Sequence, residues 1–90
     1  MSVGFGLLKS LVENDTPLSE VIERGVDESY FEQAERSAFN FIKNFKQKHG
    51  YYPNLQTIEV ESGAKGVFSN LSVEPLDYWI SYVKDRKKFA

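Results

Sequence analysis

The stretch Asp27–Gly50, DESYFEQAERSAFNFIKNFKQKHG, decides how this chain folds. Phe31, Ala34, Ala38, Phe41, Ile42 and Phe45 recur in it at the i, i+3, i+4 and i+7 spacings that share one side of an α-helix. Asp27 offers a side-chain oxygen to cap the orphan N–H groups at the start, and Glu28 suits the positive end of the helix dipole. Lys46, Lys48 and His49 ahead of Gly50 form the cation-rich, glycine-terminated close expected at the other end. The spacing predicts one continuous helix with its phenylalanines turned inward. Tyr30 and Phe39 widen the apolar arc, which makes this helix central and touched on more than one side. Phe41 is then a core position, whose truncation to Ala costs about 3–5 kcal/mol.

Working outward toward the N-terminus, Leu7, Leu8, Leu11 and Val12 form a narrow helical stripe, and Asn14-Asp15 ends it with turn-forming residues. Thr16 can cap a second helix, Pro17 fits its first position, and Gly25 can close it in a left-handed conformation; its apolar side is Leu18, Val21 and Ile22. Toward the C-terminus, Tyr51-Tyr52-Pro53-Asn54 forms a loop. Asn54 is placed to cap a short helix from Leu55 to Glu61 that presents Leu55, Ile58 and Val60, with Gly63 as its stop. The alternation in Thr57-Ile58-Glu59-Val60-Glu61 also fits a short strand, and both readings stand at this point. Residues 62–73 read as a loop or a loose helical turn. A last helix runs from about Val73, tolerates Pro75 in its first turn, continues through Leu76, Trp79, Ile80 and Val83, and shows no stop before Ala90. The expected fold class is all-α, a small orthogonal bundle of about five helices around one long central helix.

Ninety residues support one hydrophobic core and therefore one domain, 1–90. The open C-terminal end is what the N-terminal part of a longer chain would show. With 41% hydrophobic residues, seven Phe, five Tyr and one Trp, the chain can close that core unaided. The absence of cysteine excludes disulfides and thiolate metal sites, and a cytoplasmic setting is expected. Residues 1–11 lack the basic and apolar regions of a signal peptide, and no segment is long and apolar enough to span a bilayer.

Catalytic chemistry has little to work with. No glycine-rich loop followed by Lys and Ser or Thr is present, and Gly4-Phe5-Gly6 is too little to cradle phosphates. The lone histidine, His49, has neither a cysteine to activate nor a second histidine to share a metal, and it fits a solvent-exposed helix end. Glu13, Glu28, Glu32 and Glu35 fall on polar helix faces, where solvation accounts for them. No catalytic residue, cofactor or metal is expected.

The candidate contact surface lies near the C-terminus. Net charge is only −2, yet eight acids crowd residues 13–35, while Lys84, Arg86, Lys87 and Lys88 crowd the other end against Asp85 alone. Solvated cations complementing a helix dipole are the simple reading; an acidic or phosphate-bearing partner is the functional one. Tyr78 and Tyr82, four residues apart and flanking the core position Trp79, suit an exposed interface better than a base-stacking platform.

From Tyr30 to Ile58 the order of features resembles the N-terminal domain of DnaB-like replicative helicases, in particular the phage versions. The residues that carry it are Tyr30-Phe31-Glu32, Phe39 with Ile42, the Tyr52-Pro53-Asn54-Leu55 loop, and Ile58 to Glu61; Leu7 to Leu11 and Asp77-Tyr78-Trp79 are similar as well. The resemblance implies the non-catalytic collar of a hexameric ring helicase in a bacterial cell or phage-infected host. Its partners would be other helicase subunits, primase and a helicase loader, with DNA contact indirect or weak. It does not extend to the helical hairpin through which such domains pair. The segment His49-Gly50-Tyr51-Tyr52-Pro53-Asn54-Leu55-x-x-Ile58 also looks like the helix–loop–helix entry of LexA-type winged-helix DNA-binding domains. There, however, residues 61–74 offer Lys65 alone as a cation. A small phage adaptor protein of neither kind is a third possibility.

Overall fold

A computed structural model describes residues 3–88 of the chain. Five α-helices follow one another: α1 (Val3–Glu13), α2 (Leu18–Glu23), α3 (Gln33–His49), α4 (Leu55–Ser62) and α5 (Leu76–Lys88), with a single 3-10 turn at Glu28–Tyr30. No strand occurs among the described residues, so the all-α expectation holds, and the ambiguous segment after Asn54 is helical. Asn54 decides that segment locally: its side chain accepts the Thr57 N–H at 2.8 Å, and Gly63 closes the helix at φ 73°. Ile58 is buried and Leu55 half-buried, whereas Val60 stands 70% exposed.

The Asp27–Gly50 stretch is not one continuous helix. Asp27 does cap, but it caps the 3-10 turn, its carboxylate accepting the Ser29 N–H at 2.8 Å. The chain then extends through Phe31 and restarts from Glu32 in a capping box. There the Glu32 side chain accepts from the third helical residue, and Glu35 reaches back to the Glu32 N–H at 2.9 Å. That reciprocal pair satisfies orphan N–H groups that Asp27 cannot reach, so it fixes the start of α3 at Gln33. Gly50, at φ 80°, ends the helix as its position predicts.

The inward face of α3 also differs from the apolar reading. Glu35, Ala38, Phe39 and Ile42 are buried, Phe41 and Phe45 are only half-buried, and Ala34 is exposed. The buried stripe keeps Ala38 and Ile42 but is centred roughly 65° away from the one that apolarity alone selects, toward Glu35 and Phe39. Phe31, stacked on Phe39 at 4.8 Å, covers the inner face from the extended link.

Helix α2 begins one position later than expected. Pro17, extended at ψ 141°, occupies the capping position without a side-chain cap, and the Thr16 N–H closes α1 by donating to the Leu11 carbonyl at 3.0 Å. The Thr16 carbonyl in turn accepts the Tyr52 hydroxyl at 2.6 Å. Burial first and the nearby Asp15 charge second push the Tyr52 phenol up to about 12, in keeping with a neutral donor. Ile22, expected on the inner side of α2, is 62% exposed, while Val21 and the half-buried Leu18 make the contact with the core.

The most enclosed element is α1. Phe5, Leu7, Leu8 and Leu11 are buried together with Gly4, Gly6 and Ser10, and the helix packs on α5 and α3, while α3 packs on α4, the 3-10 turn and α1. Two glycines permit that close approach. A Cβ on Gly4 would lie 2.2 Å from the Glu35 carboxyl carbon, and one on Gly6 would lie 2.6 Å from the Trp79 ring. The polar side of α1 holds the irregular segment ahead of α5: Lys9 donates to the Phe68 carbonyl at 2.8 Å and to that of Leu71, and the Ser10 hydroxyl accepts the Glu74 N–H at 3.2 Å. Phe68 is thereby seated edge-on against Phe5 at 5.7 Å. Pro75 precedes α5, whose Leu76, Trp79, Ile80 and Val83 are all buried. The reading of the chain end at Ala90 lies outside the described residues.

Gly6→Ala gains about 0.8–1 kcal/mol of helix propensity, yet it must displace the indole, at an overpacking cost of about 1–3 kcal/mol. A net loss in chemical denaturation is expected, and a more stable variant would show that α1 and α5 do not meet at this point. Phe39→Ala is expected to cost about 3–5 kcal/mol. Phe41→Ala, at a half-buried site, should cost about 1–2 kcal/mol. Equal midpoint shifts for the two variants would contradict the face assigned to α3.

Candidate functional site

Helix α5 presents two aromatic residues to solvent while sealing the core with the rest. Tyr78 and Tyr82 are 46% and 48% exposed, with ring centroids 5.3 Å apart. Trp79, buried between them and α1, meets Tyr78 edge-on at 5.0 Å. With Val3 these rings border a small cleft. The pKa of Tyr78 is raised, chiefly by its hydrogen bond with Tyr82 and then by the Tyr82 charge, burial and Glu74. The expected pairing of the two tyrosines on one flank of the helix is therefore present.

The cations of the candidate surface separate. Lys84 is exposed, about 200° around the helix from Tyr82, with its ammonium over Gly25 at the end of α2. Arg86, its side chain 26% exposed, turns its guanidinium toward α3. Its guanidinium donates to both carboxylate oxygens of Glu35, at 3.1 and 2.8 Å, and to the Tyr30 carbonyl at 2.7 Å, with Glu32 a further 3.8 Å neighbour. Arg86 thus clamps α5 to α3 and the 3-10 turn, a structural role that the sequence reading did not assign to it. Glu35, expected on a solvated face, is 1% exposed. The side chains of Lys87 and Lys88 lie outside the described residues.

Among the described residues, no group of three or more His, Cys, Asp or Glu side chains could hold a metal ion. No described helix is long and apolar enough to cross a membrane. Arg24 pairs with Asp77, tying α2 to α5, and approaches Glu20 at 3.9 Å.

A second surface was missed by treating every phenylalanine of α3 as core. Phe41, Phe45 and His49, spaced i, i+4 and i+8, run along the outside of the second half of the helix. Phe45 lies 5.9 Å from Phe41, 4.4 Å from His49 and, edge-on, 5.5 Å from Tyr51. The signal that could have found it is the width of the arc: Phe39 and Ile42 on one side and Phe41 and Phe45 on the other span more than one helix face.

Removing one partner of a buried ion pair leaves an uncompensated charge, so Arg86→Ala is expected to destabilise the chain by about 3–5 kcal/mol. Lys84→Ala, at an exposed site, should stay within about 0.5 kcal/mol. Denaturant titration of the two variants checks this, and similar midpoints would disprove the clamp. Comparison of the chain with protein-family models, with curated proteins and with solved structures finds no match.

Proposed function

We propose that the chain is a non-catalytic docking domain, the N-terminal collar of a hexameric DnaB-like replicative helicase of phage type, which assists ring assembly and receives primase and a helicase loader during DNA replication. One observation carries this reading: the residues on which the resemblance rests are those that hold α3 to its neighbours. Phe31, Phe39, Ile42, Pro53 and Ile58 are buried in succession along the join of the 3-10 turn, α3 and α4. A shared order of core positions is what two domains of one fold retain when their surfaces diverge. The LexA-type alternative needs a wing, and no strand occurs among the described residues.

The exposed Tyr78–Tyr82 pair on α5 is the contact we assign to the protein partner. Aromatic side chains bring large contact area with few rotatable bonds, and they are enriched where proteins meet. The exposed Lys84 adds favourable steering toward an acidic partner.

In pull-downs with the cognate primase and loader, the chain is expected to retain at least one of them. Tyr78→Ser combined with Tyr82→Ser should weaken that retention about tenfold or more, as loss of a binding hot spot does. No retention under conditions where the complete helicase binds both would refute the proposal.

A further inference from the structure

The outward stripe on α3 differs in chemistry from the α5 tyrosines and is not used by docking through them. All thirteen acidic residues of the chain lie outside positions 36–58, and this acid-free stretch carries Arg36, Lys43, Lys46 and Lys48. A chain of net charge −2 therefore shows one locally cationic end. Lys46 sits over the Tyr52 ring at 4.7 Å and Lys43 over the Phe39 ring at 5.9 Å, so aromatic faces hold both ammonium groups close to the surface. None of these lysines is in an ion pair among the described residues, and Lys48 and His49 are exposed.

Between the cations, Phe41, Asn44, Phe45, Lys48 and His49 line an open groove of about 270 Å³. That is at the small end of ligand sites, which run from about 300 to 1,000 Å³, so it suits one planar group better than a packed helix. The aromatic residues offer π-faces and edges, the Asn44 amide is both donor and acceptor, and Tyr51, 61% exposed, extends the aromatic row beyond the groove. Stacking surface, a polar group at the level of a base edge, and positive charge from Lys48 and Lys46 are the three elements of single-strand recognition.

The geometry points to a binding site for single-stranded nucleic acid on the outer face of α3: an unpaired base stacks against the Phe41–Phe45–His49 row, Asn44 hydrogen-bonds its edge, and Lys48, with Lys46 held beside Gly50 at the Tyr51 end, attracts the flanking phosphates. A duplex keeps its bases stacked inside and cannot fill the groove. An acidic peptide answers the charge but brings no base to stack on the ring faces.

Fluorescence anisotropy with a labelled single-stranded oligothymidylate of ~20 nucleotides, long enough for several stacking positions, tests the site on the whole chain. The single strand is expected to bind at least about tenfold tighter than a duplex of equal length, with affinity falling linearly against the logarithm of salt. Phe45→Ala should weaken binding about tenfold through lost stacking. Tyr51→Ala and Lys48→Glu change exposed residues and leave the core intact, so they decide the matter even where Phe45→Ala unfolds. Both should weaken binding, and Lys48→Glu should also flatten the salt dependence. Absent binding at low salt, equal affinity for duplex and single strand, competition by polyglutamate as strong as by the unlabelled oligonucleotide, or unchanged affinity in both exposed variants would each overturn the site.

Discussion

The Glu35 carboxylate is enclosed by four separate pieces of chain, and the arrangement of the helices follows from the need to satisfy it. Burying a carboxylate without partners costs several kcal/mol, and the cost is offset only where geometry and hydrogen bonding are good. Here the capping box supplies a backbone N–H from Glu32, and Arg86 supplies two parallel N–H groups from the far end of α5. The same guanidinium also donates to the Tyr30 carbonyl, so the 3-10 turn is fixed by the group that neutralises α3. The fourth piece is α1, whose Gly4 leaves room where any Cβ would strike the carboxyl group. One side chain thus sets where α3 begins, how far α5 extends and which residue α1 carries near its start. As a source of net stability such a pair is modest; as a constraint on which elements meet, it is strict, since a shift of any one leaves a buried charge unpaired.

Gly6 imposes the second restriction on α1, by admitting the face of Trp79. The two glycines are two residues apart and so point to nearly opposite sides of the helix, one toward α3 and one toward α5. This explains why a helix of eleven residues, rather than the longest one, is the most enclosed. It also explains how the segment between Gly63 and Pro75, which has no regular structure of its own, stays in place. Lys9 and Ser10, on the remaining side of α1, satisfy backbone groups in that segment, and Phe68 is inserted beneath them. Gly4-Phe5-Gly6, which cannot cradle a phosphate, acts instead as a packing motif.

Features fixed by neighbours in sequence were legible before the fold was known. Gly25, Gly50 and Gly63 all adopt the left-handed conformation that ends a helix, and Asn54 caps α4, because each depends on chemistry within one turn. The partners of Glu35 and Arg86 are 51 residues apart, and nothing local distinguishes either from a solvated charge. That is why the inner face of α3 was read off-centre and Arg86 was assigned to the surface. Ile22 misled for a related reason: periodicity shows that an apolar side exists, but the short α2 contacts the core through Val21 and Leu18. Of the candidate surface, the Tyr78–Tyr82 pair was visible, because a four-residue spacing around a buried Trp79 settles exposure within the helix itself. The α3 stripe was visible only as surplus aromatic content.

That surplus follows from size. A ninety-residue chain buries a smaller share of its surface than a larger domain, and a seventeen-residue helix in it cannot turn every aromatic inward. Left to chance, the remainder would be scattered and shielded by charges of both signs. On α3 it is instead gathered in one row, beside lysines and within a stretch of sequence that contains no carboxylate. Solubility argues against gathering half-exposed rings, and the helix dipole accounts for cations only in the last turn, at Lys46, Lys48 and His49. A row that costs solubility, adds little to the core and excludes one sign of charge over twenty-three residues is accounted for by a ligand that is planar and negative.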